Sequence, residues 1–247
     1  NNGWAIDGSI LRMPGNKLYF LFSSWVGDNQ NMFIAPMSDP WTISGARVLL
    51  STPTYPWERA TGNVNEGPEV LQHGGDTFII YSASACWGPD YKLGLLRYAG
   101  GDVLDAKSWQ KQDKPVFERN DKDNVYAPGH NGFFTSPDGK ENWLVYHANS
   151  LPADGCANVR TTRVQPFTWN ADGTPNFGTP LALDTPIPVP SGEQAAAPAV
   201  SATAYALVGR DGGQCLSAQN GALALAACDN GAGQQWQITY LGNGYSK

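Results

Sequence analysis

Charge is scarce in this 247-residue chain: 15% of it is Asp, Glu, Lys or Arg, against roughly 25% in an average soluble domain. The formal net charge is −6 and no basic run interrupts the acidic balance, so neither nucleic acid nor an anionic membrane surface is an expected partner. No apolar stretch approaches the roughly 18 residues of a membrane span. Helical periodicity is missing too, which argues against a helical bundle or solenoid. Of the three histidines, His130 has no second His or Cys close by in sequence, so a zinc site is not expected.

What the chain has is 28 Gly, 18 Pro, 9 Trp, 10 Tyr and 9 Phe. That mixture favours many short strands joined by Gly/Pro turns, hence an all-β fold. Four cysteines allow three pairings if oxidised. The opening residues, NNGWAIDGSILRM, already read as the entrance to a strand, so the lack of a signal peptide is silent about secretion. Cysteine usage makes a secreted, extracellular protein the expectation.

Three segments share one plan. The first runs GSILRM, a turn at Gly15, LYFLFSSW, a loop, NMFIAPM and DPWTISGARVLL. The second runs PEVLQ, a turn at Gly74 and Gly75, TFIIYSAS, a loop, YKLGLLRY and KSWQKQDKPVF. The third runs NGFFTS, a turn over residues 137–139, NWLVYHA, a loop, VRTTRVQ and PFTWNADGTPNFG. Four strands per unit at this period is the pattern of β-propeller blades, with a β-sandwich as the alternative. Trp41, Trp109 and Trp169 recur with the units and are expected to pack between blades.

In a propeller the first strand of every blade lines the central axis, so equivalent positions at its start converge. Asp7, Glu66 and His130 stand at those starts. Two carboxylates and an imidazole in one aromatic-rich cleft suggest acid–base chemistry on a neutral substrate, with glycoside hydrolysis the natural candidate. A carboxylate such as Asp7 beside Glu66 would disfavour its ionisation and keep it a usable acid. The alternative for each is a carboxylate that merely receives turn N–H groups. His130 is a candidate for contact with a central metal or water. His147 reads as a packed, hydrogen-bonded strand residue and His73 as a turn residue. Loops between second and third strands open on the same face, making Trp25, Trp87 and Tyr91 candidate sugar-stacking residues. Asp28 and Asp90 lie in those loops without a motif. Cys86 and Cys156 fall in equivalent loops of adjacent units and are expected to pair, as are Cys215 and Cys228 around a local strand–turn–strand pattern.

With these residues in view, the sequence resembles glycoside hydrolase family 43, the five-bladed inverting arabinofuranosidases and xylosidases. WAIDGSIL resembles the strand of that family's pKa-modulating aspartate, which implies that role for Asp7. NEGPEV resembles the segment of the general acid, implying Glu66. YAPGHNGFFTSPDGKENWLVYHA resembles the segment whose histidine faces a central water or calcium ion, and His130 matches. RTTRVQPFTWNADGTP resembles the strand whose arginine contacts the sugar; Arg160 matches, with Arg163 the weaker candidate. The resemblance implies a propeller with three of its five blades visible in residues 1–190. It also implies a general base upstream of Asn1, so the chain as given is expected to lack its base. Wording such as PMSDPWTISGARVLL resembles the α-L-arabinofuranosidase branch. The implied substrate is arabinan, arabinoxylan side chains or an arabino-oligosaccharide of the plant cell wall. A β-xylosidase, an exo-galactanase and a non-catalytic carbohydrate-binding propeller are the alternatives. No cofactor is required by this chemistry, and a structural calcium ion is the one ion implied.

Residues 191–203 form a Pro/Ala/Ser-rich linker. Residues 204–247, with Cys-Leu, a second cysteine and Gln234-Gln235-Trp236, resemble part of a ricin-type β-trefoil lectin domain. Ser217 stands where that family carries its sugar-binding aspartate.

Overall fold

The computed structural model describes residues 3–193, 205–209, 212–219 and 221–236. The expected linker falls almost wholly outside these residues. The chain divides into two compact units, Asn1–Glu193 and Gln194–Lys247.

The first unit is built of three antiparallel sheets in sequence order. One contains β1 (Ile6–Met13), β2 (Lys17–Val26), β3 (Asn29–Asp39) and β4 (Thr42–Ile43), with β5 (Val48–Ser51) also pairing β3. The second runs β6 (Asn65–His73), β7 (Asp76–Ala83), β8 (Lys92–Tyr98) and β9 (Trp109–Lys111). The third runs β10 (Tyr126–Thr135), β11 (Asn142–Asn149), β12 (Thr161–Trp169) and β13 (Pro175–Asn176). Each is a meander of adjacent strands, as the three repeats predict for propeller blades.

The middle blade explains why TFIIYSAS is apolar throughout rather than alternating. Successive strand residues point to opposite faces, and both faces of β7 are covered. Phe78 and Ile80 join Leu93, Leu144, Tyr146 and Phe167 in one core. Ile79 and Tyr81 join Leu11, Leu21, Met32 and Trp109 in another. Each fully buried aliphatic side chain in these layers contributes about 1.5–3 kcal/mol; truncating Ile79 to Ala would cost about 2–5 kcal/mol.

The repeating tryptophans do not behave alike. Trp109 is 6% exposed within the core that holds Ile79 and Tyr81. Trp169 ends β12, not an outermost strand, and stacks on His73 with ring centroids 3.9 Å apart. His73 is thus an inter-blade packing residue as well as a strand end. Trp41 corrects the expectation: it sits in the turn before the two-residue β4 and is 84% exposed. Ile43, in the same short strand, is also exposed, at 49%.

In the second unit, β14 (Cys215–Gln219) and β15 (Ala222–Ala226) form a hairpin. The Cys215–Cys228 disulfide ties the hairpin to the segment after it. Gln234 is buried, donating to the carbonyl of Ala227 and accepting from the backbone N–H of Asp229. Trp236 donates its indole N–H to the carbonyl of Leu216. These bonds give the Gln-x-Trp pattern a structural reason: Gln234 closes the segment that follows β15, and Trp236 ties it back to β14. Ser217 is 2% exposed.

Candidate active site

The three first strands break their ladders at matching places. Pairing with the second strand shifts between Ile6 and Ser9 in β1, between Glu66 and Glu69 in β6, and between Gly129 and Gly132 in β10. These are β-bulges, which bend a strand and re-aim its side chains. The first bulged residue has positive φ in every blade: Asp7 at 60°, Gly67 at 55° and His130 at 51°. Glycine adopts that conformation without steric cost, whereas Asp7 and His130 hold it against the usual preference of L-residues. By this register the backbone equivalent of Asp7 and His130 is Gly67. Glu66 stands one residue earlier, a correction to the alignment read from sequence.

The convergence nevertheless occurs. Asp7, Glu66 and His130 each offer a ligand-type atom, and these atoms lie within 4.8 Å of one another. Asp7 Oδ2 accepts the backbone N–H of Gly67 at 3.0 Å, and Asp7 Oδ1 lies 3.6 Å from His130 Nε2. Glu66 Oε1 accepts from the Tyr91 hydroxyl at 2.6 Å, while Oε2 accepts from Gln30 Nε2 at 2.8 Å. The Tyr91 hydroxyl also lies 3.3 Å from His130 Nδ1. His130 in turn donates its backbone N–H to Ser82 Oγ at 2.7 Å. The site is therefore fixed by bonds that cross all three blades.

Burial raises the Glu66 carboxyl above the usual carboxylate range, and the Asp7 charge adds to it. The Tyr91 and Gln30 hydrogen bonds and the His130 imidazole oppose the rise without cancelling it. A half-buried carboxyl held protonated into the less acidic range is suited to donate a proton.

Tyr91 does not supply a stacking face and is corrected on that point. It is 0% exposed, and a Cβ on Gly129 would come within 2.4 Å of its ring. Its ring also stacks on His147, with ring planes 6° apart. Trp25 and Trp87 are exposed, at 40% and 57%. Cys86 and Cys156 are joined, with Cα atoms 5.2 Å apart, and this disulfide holds the Trp87 loop against the loop after β11. Asp90 is engaged by Arg119 at 3.3 Å.

Beside His130 lies a cleft of about 360 Å³ lined by His130, His147, Ala157, Asn158 and Arg160. Arg160 is exposed there and meets His147 Nε2 at 3.2 Å. Arg163, by contrast, is buried and bonds Thr161 and Ser150. His147 is packed and hydrogen-bonded as its strand position suggests, and it also forms part of the cleft wall. Burial, then Arg160 and His130, lower its pKa to about 4, so it is neutral through mildly acidic pH.

Direct calcium binding by the central trio does not fit. Calcium takes 6–8 oxygen ligands, whereas this cluster offers one imidazole and two carboxylates already engaged by Gly67, Tyr91 and Gln30. Gln30 escaped the sequence reading because a glutamine inside a strand carries no motif. Its burial, at 3% exposure, and its bond to Glu66 exist only through blade packing.

Fold and site together define a β-propeller with paired carboxylates and an imidazole at the strand starts, the imidazole lining a cleft. Residues 1–175 match the model of glycosyl hydrolases family 43. The chain belongs to that family. It is 48% identical over 160 residues to an extracellular exo-alpha-(1->5)-L-arabinofuranosidase of Streptomyces avermitilis, covering 63% of this chain and 33% of that protein. It is 44% identical over 168 residues to alpha-L-arabinofuranosidase 43 of Humicola insolens, covering 66% of this chain and 34% of that protein. The crystal structure of alpha-L-arabinofuranosidase from Lactobacillus brevis superposes with a TM-score of 0.68 at 39% identity, covering 74% of this chain and 58% of that one. The chain thus spans about a third of the length of the curated relatives it matches.

Proposed function

We propose that the protein is a secreted, exo-acting α-L-arabinofuranosidase that removes terminal arabinofuranosyl residues from arabinan, arabinoxylan side chains or arabino-oligosaccharides. The observation that carries this reading is the raised, half-buried Glu66 carboxyl beside Asp7, both within 4.8 Å of His130, which lines the cleft. The names of the relatives from Streptomyces, Humicola and Lactobacillus support the sugar.

In the proposed reaction Glu66 is the general acid, protonating the departing glycosidic oxygen as the anomeric C–O bond breaks. The sugar ring then carries oxocarbenium-like charge until water adds from the opposite face with inversion. These residues supply the acid half of that chemistry. Asp7 tunes Glu66, Tyr91 and Gln30 hold its two oxygens, Arg160 reaches the sugar from the cleft wall, and Trp25 and Trp87 stack on it at the rim. The neutral His147 orients the Arg160 guanidinium without adding a competing positive charge. No cofactor enters these steps. A hydrated calcium ion contacting His130 through water stays within the proposal, and activity after chelation and calcium add-back tests it. The second unit is proposed to be part of a ricin-type β-trefoil that tethers the enzyme to polysaccharide; its disulfide and the Gln234 and Trp236 bonds support that assignment.

The test is product analysis of the full-length protein on reduced arabinotriose, linear arabinan, xylotriose and galactotriose. Stepwise release of arabinose alone supports the reading. Xylose or galactose as the main product would contradict the sugar assignment. Arabinobiose released from within arabinan would contradict exo action, and binding without hydrolysis would favour the carbohydrate-binding alternative.

A further inference from the structure

A further carboxylate lies deep in the fold and takes no part in the chemistry above. Glu58, in the short 3-10 turn Pro56–Arg59, is 0% exposed. Its Oε1 accepts from Lys111 Nζ at 2.8 Å, the Tyr81 hydroxyl at 2.9 Å and Asn65 Nδ2 at 2.9 Å. Its Oε2 accepts the backbone N–H groups of Thr54 at 2.6 Å and Tyr55 at 2.8 Å. Lys111 Nζ donates further to the carbonyl of Thr52 and to Asn65 Oδ1. Burial alone would raise the Glu58 carboxyl; Lys111 and the two amides outweigh it and hold the group ionised. An ion pair this buried gains little net stability over an apolar replacement of equal volume. Its presence is therefore open to a task beyond holding the core together.

The connections of the pair lead to Glu66. Asn65 immediately precedes Glu66, is 0% exposed, and is held by Glu58, Lys111 and the Ser51 hydroxyl. The segment leaving Glu58 is pinned by Ser84 N–H donating to the Glu58 carbonyl and by Thr61 N–H donating to Ser84 Oγ. It ends where Val64 bridges Gln30 and where the Gln30 N–H donates to the Asn63 carbonyl. Gln30 is the residue that bonds Glu66 Oε2. The same segment supports the rim, since a Cβ on Gly62 would sit 2.7 Å from the Trp87 ring.

We propose that the buried Glu58–Lys111 pair is a positioning device for Glu66, fixing both the residue before it and the backbone of the glutamine that bonds it. The proposal rests on reading Glu66 as the general acid. Glu58 and Lys111 touch no substrate; they act through Asn65 and Gln30. Misplacement of a reacting group by about 1 Å can cost on the order of 100-fold in rate, and the loss should follow the demand for protonation.

The test compares wild type, Glu58→Gln, Lys111→Met, the double variant, Ser51→Ala and Glu66→Gln in the full-length protein, well below each melting temperature. The substrates are arabinotriose, whose leaving group needs a proton, and dinitrophenyl arabinofuranoside, whose leaving group does not. For Glu58→Gln and Lys111→Met we expect kcat on arabinotriose to fall by about 10- to 100-fold. KM and turnover of the dinitrophenyl substrate should stay within a few-fold of wild type. The double variant should recover thermal stability but not kcat on arabinotriose. Ser51→Ala, which leaves the ion pair intact, should show a smaller selective loss and decides the matter if the charge variants fail to fold. Equal losses on both substrates, or no loss at all in Ser51→Ala and the charge variants, would overturn the proposal. If Glu66→Gln also kept the wild-type ratio between substrates, the acid assignment itself would be at fault; if it alone lost the ratio, only the positioning role would fall.

Discussion

Replacing Asp7 with Asn isolates the effect of one charge on the acid. Asparagine keeps an acceptor for the Gly67 N–H, which Asp7 Oδ2 now holds at 3.0 Å, and it tolerates the φ of 60° at this bulge. What disappears is a negative charge whose nearest oxygen lies within 4.8 Å of a Glu66 oxygen. At that distance two unit charges interact by roughly 3.5 kcal/mol at an effective dielectric constant of about 20. His130, beside the pair, has 45% of its side chain exposed to solvent. Screening there reduces the coupling to about 1–2 kcal/mol. Asp7 raises the Glu66 pKa, so its removal lowers it. The competent form of Glu66 is protonated, and activity is lost as pH rises through its pKa. Asp7→Asn should therefore move the alkaline limb of the kcat/KM profile toward acid, with turnover at the acidic optimum largely retained. The assay is kcat/KM on arabinotriose from pH 4 to 9. An unmoved alkaline limb, or one displaced upward, would refute the tuning role. Loss of turnover by roughly 10²–10⁴-fold at every pH would instead mark Asp7 as the water-activating base.

Tyr91→Phe should act with the opposite sign, because the Tyr91 hydroxyl stabilises the ionised form of Glu66; the alkaline limb should move upward in the same assay. Opening the Cys86–Cys156 disulfide, which spans 70 residues, should destabilise the propeller by about 2–5 kcal/mol, read as a lower melting temperature for Cys86→Ser/Cys156→Ser. The same variant should raise KM through the loosened Trp87 loop, whereas unchanged stability and KM would show that the bridge is idle. His147 has its pKa lowered from 6.5 to about 4, so the unfolded chain binds the extra proton between those values. Stability should accordingly fall by up to about 3 kcal/mol, less screening, as pH drops across that window. His147→Gln should flatten this part of the denaturant-derived stability curve.

The blades were legible because strand pattern and turn chemistry are local. Gly15, Gly74 with Gly75, and residues 137–139 mark the hairpins between first and second strands, and TFIIYSAS announces a strand covered on both faces. The convergence of Asp7, Glu66 and His130 followed from the repeat alone, as did the pairing of Cys86 with Cys156. Details set by how blades meet were not legible. Tyr91 and Trp87 share one loop and one aromatic character, yet one is sealed beneath Gly129 while the other stands at the rim. Trp41 sits in a repeat position like that of Trp109 and remains outside the core, because β4 is too short to carry it inward. His73 looked like a turn residue until Trp169 of another blade stacked on it. The one-residue offset of Glu66 is a property of bulge geometry, which the residue types at those positions do not encode by themselves.

The central claim is that Glu66 protonates the leaving group, and a leaving-group series tests it most directly. Wild type and Glu66→Gln would be compared in the full-length protein on aryl arabinofuranosides spanning dinitrophenol to phenol, plotting log kcat/KM against leaving-group pKa. With Glu66 as the acid, the wild-type line is shallow and the Glu66→Gln line steep, the two converging at the most acidic phenol. Parallel lines, with Glu66→Gln lower by the same factor throughout the series, would contradict the assignment.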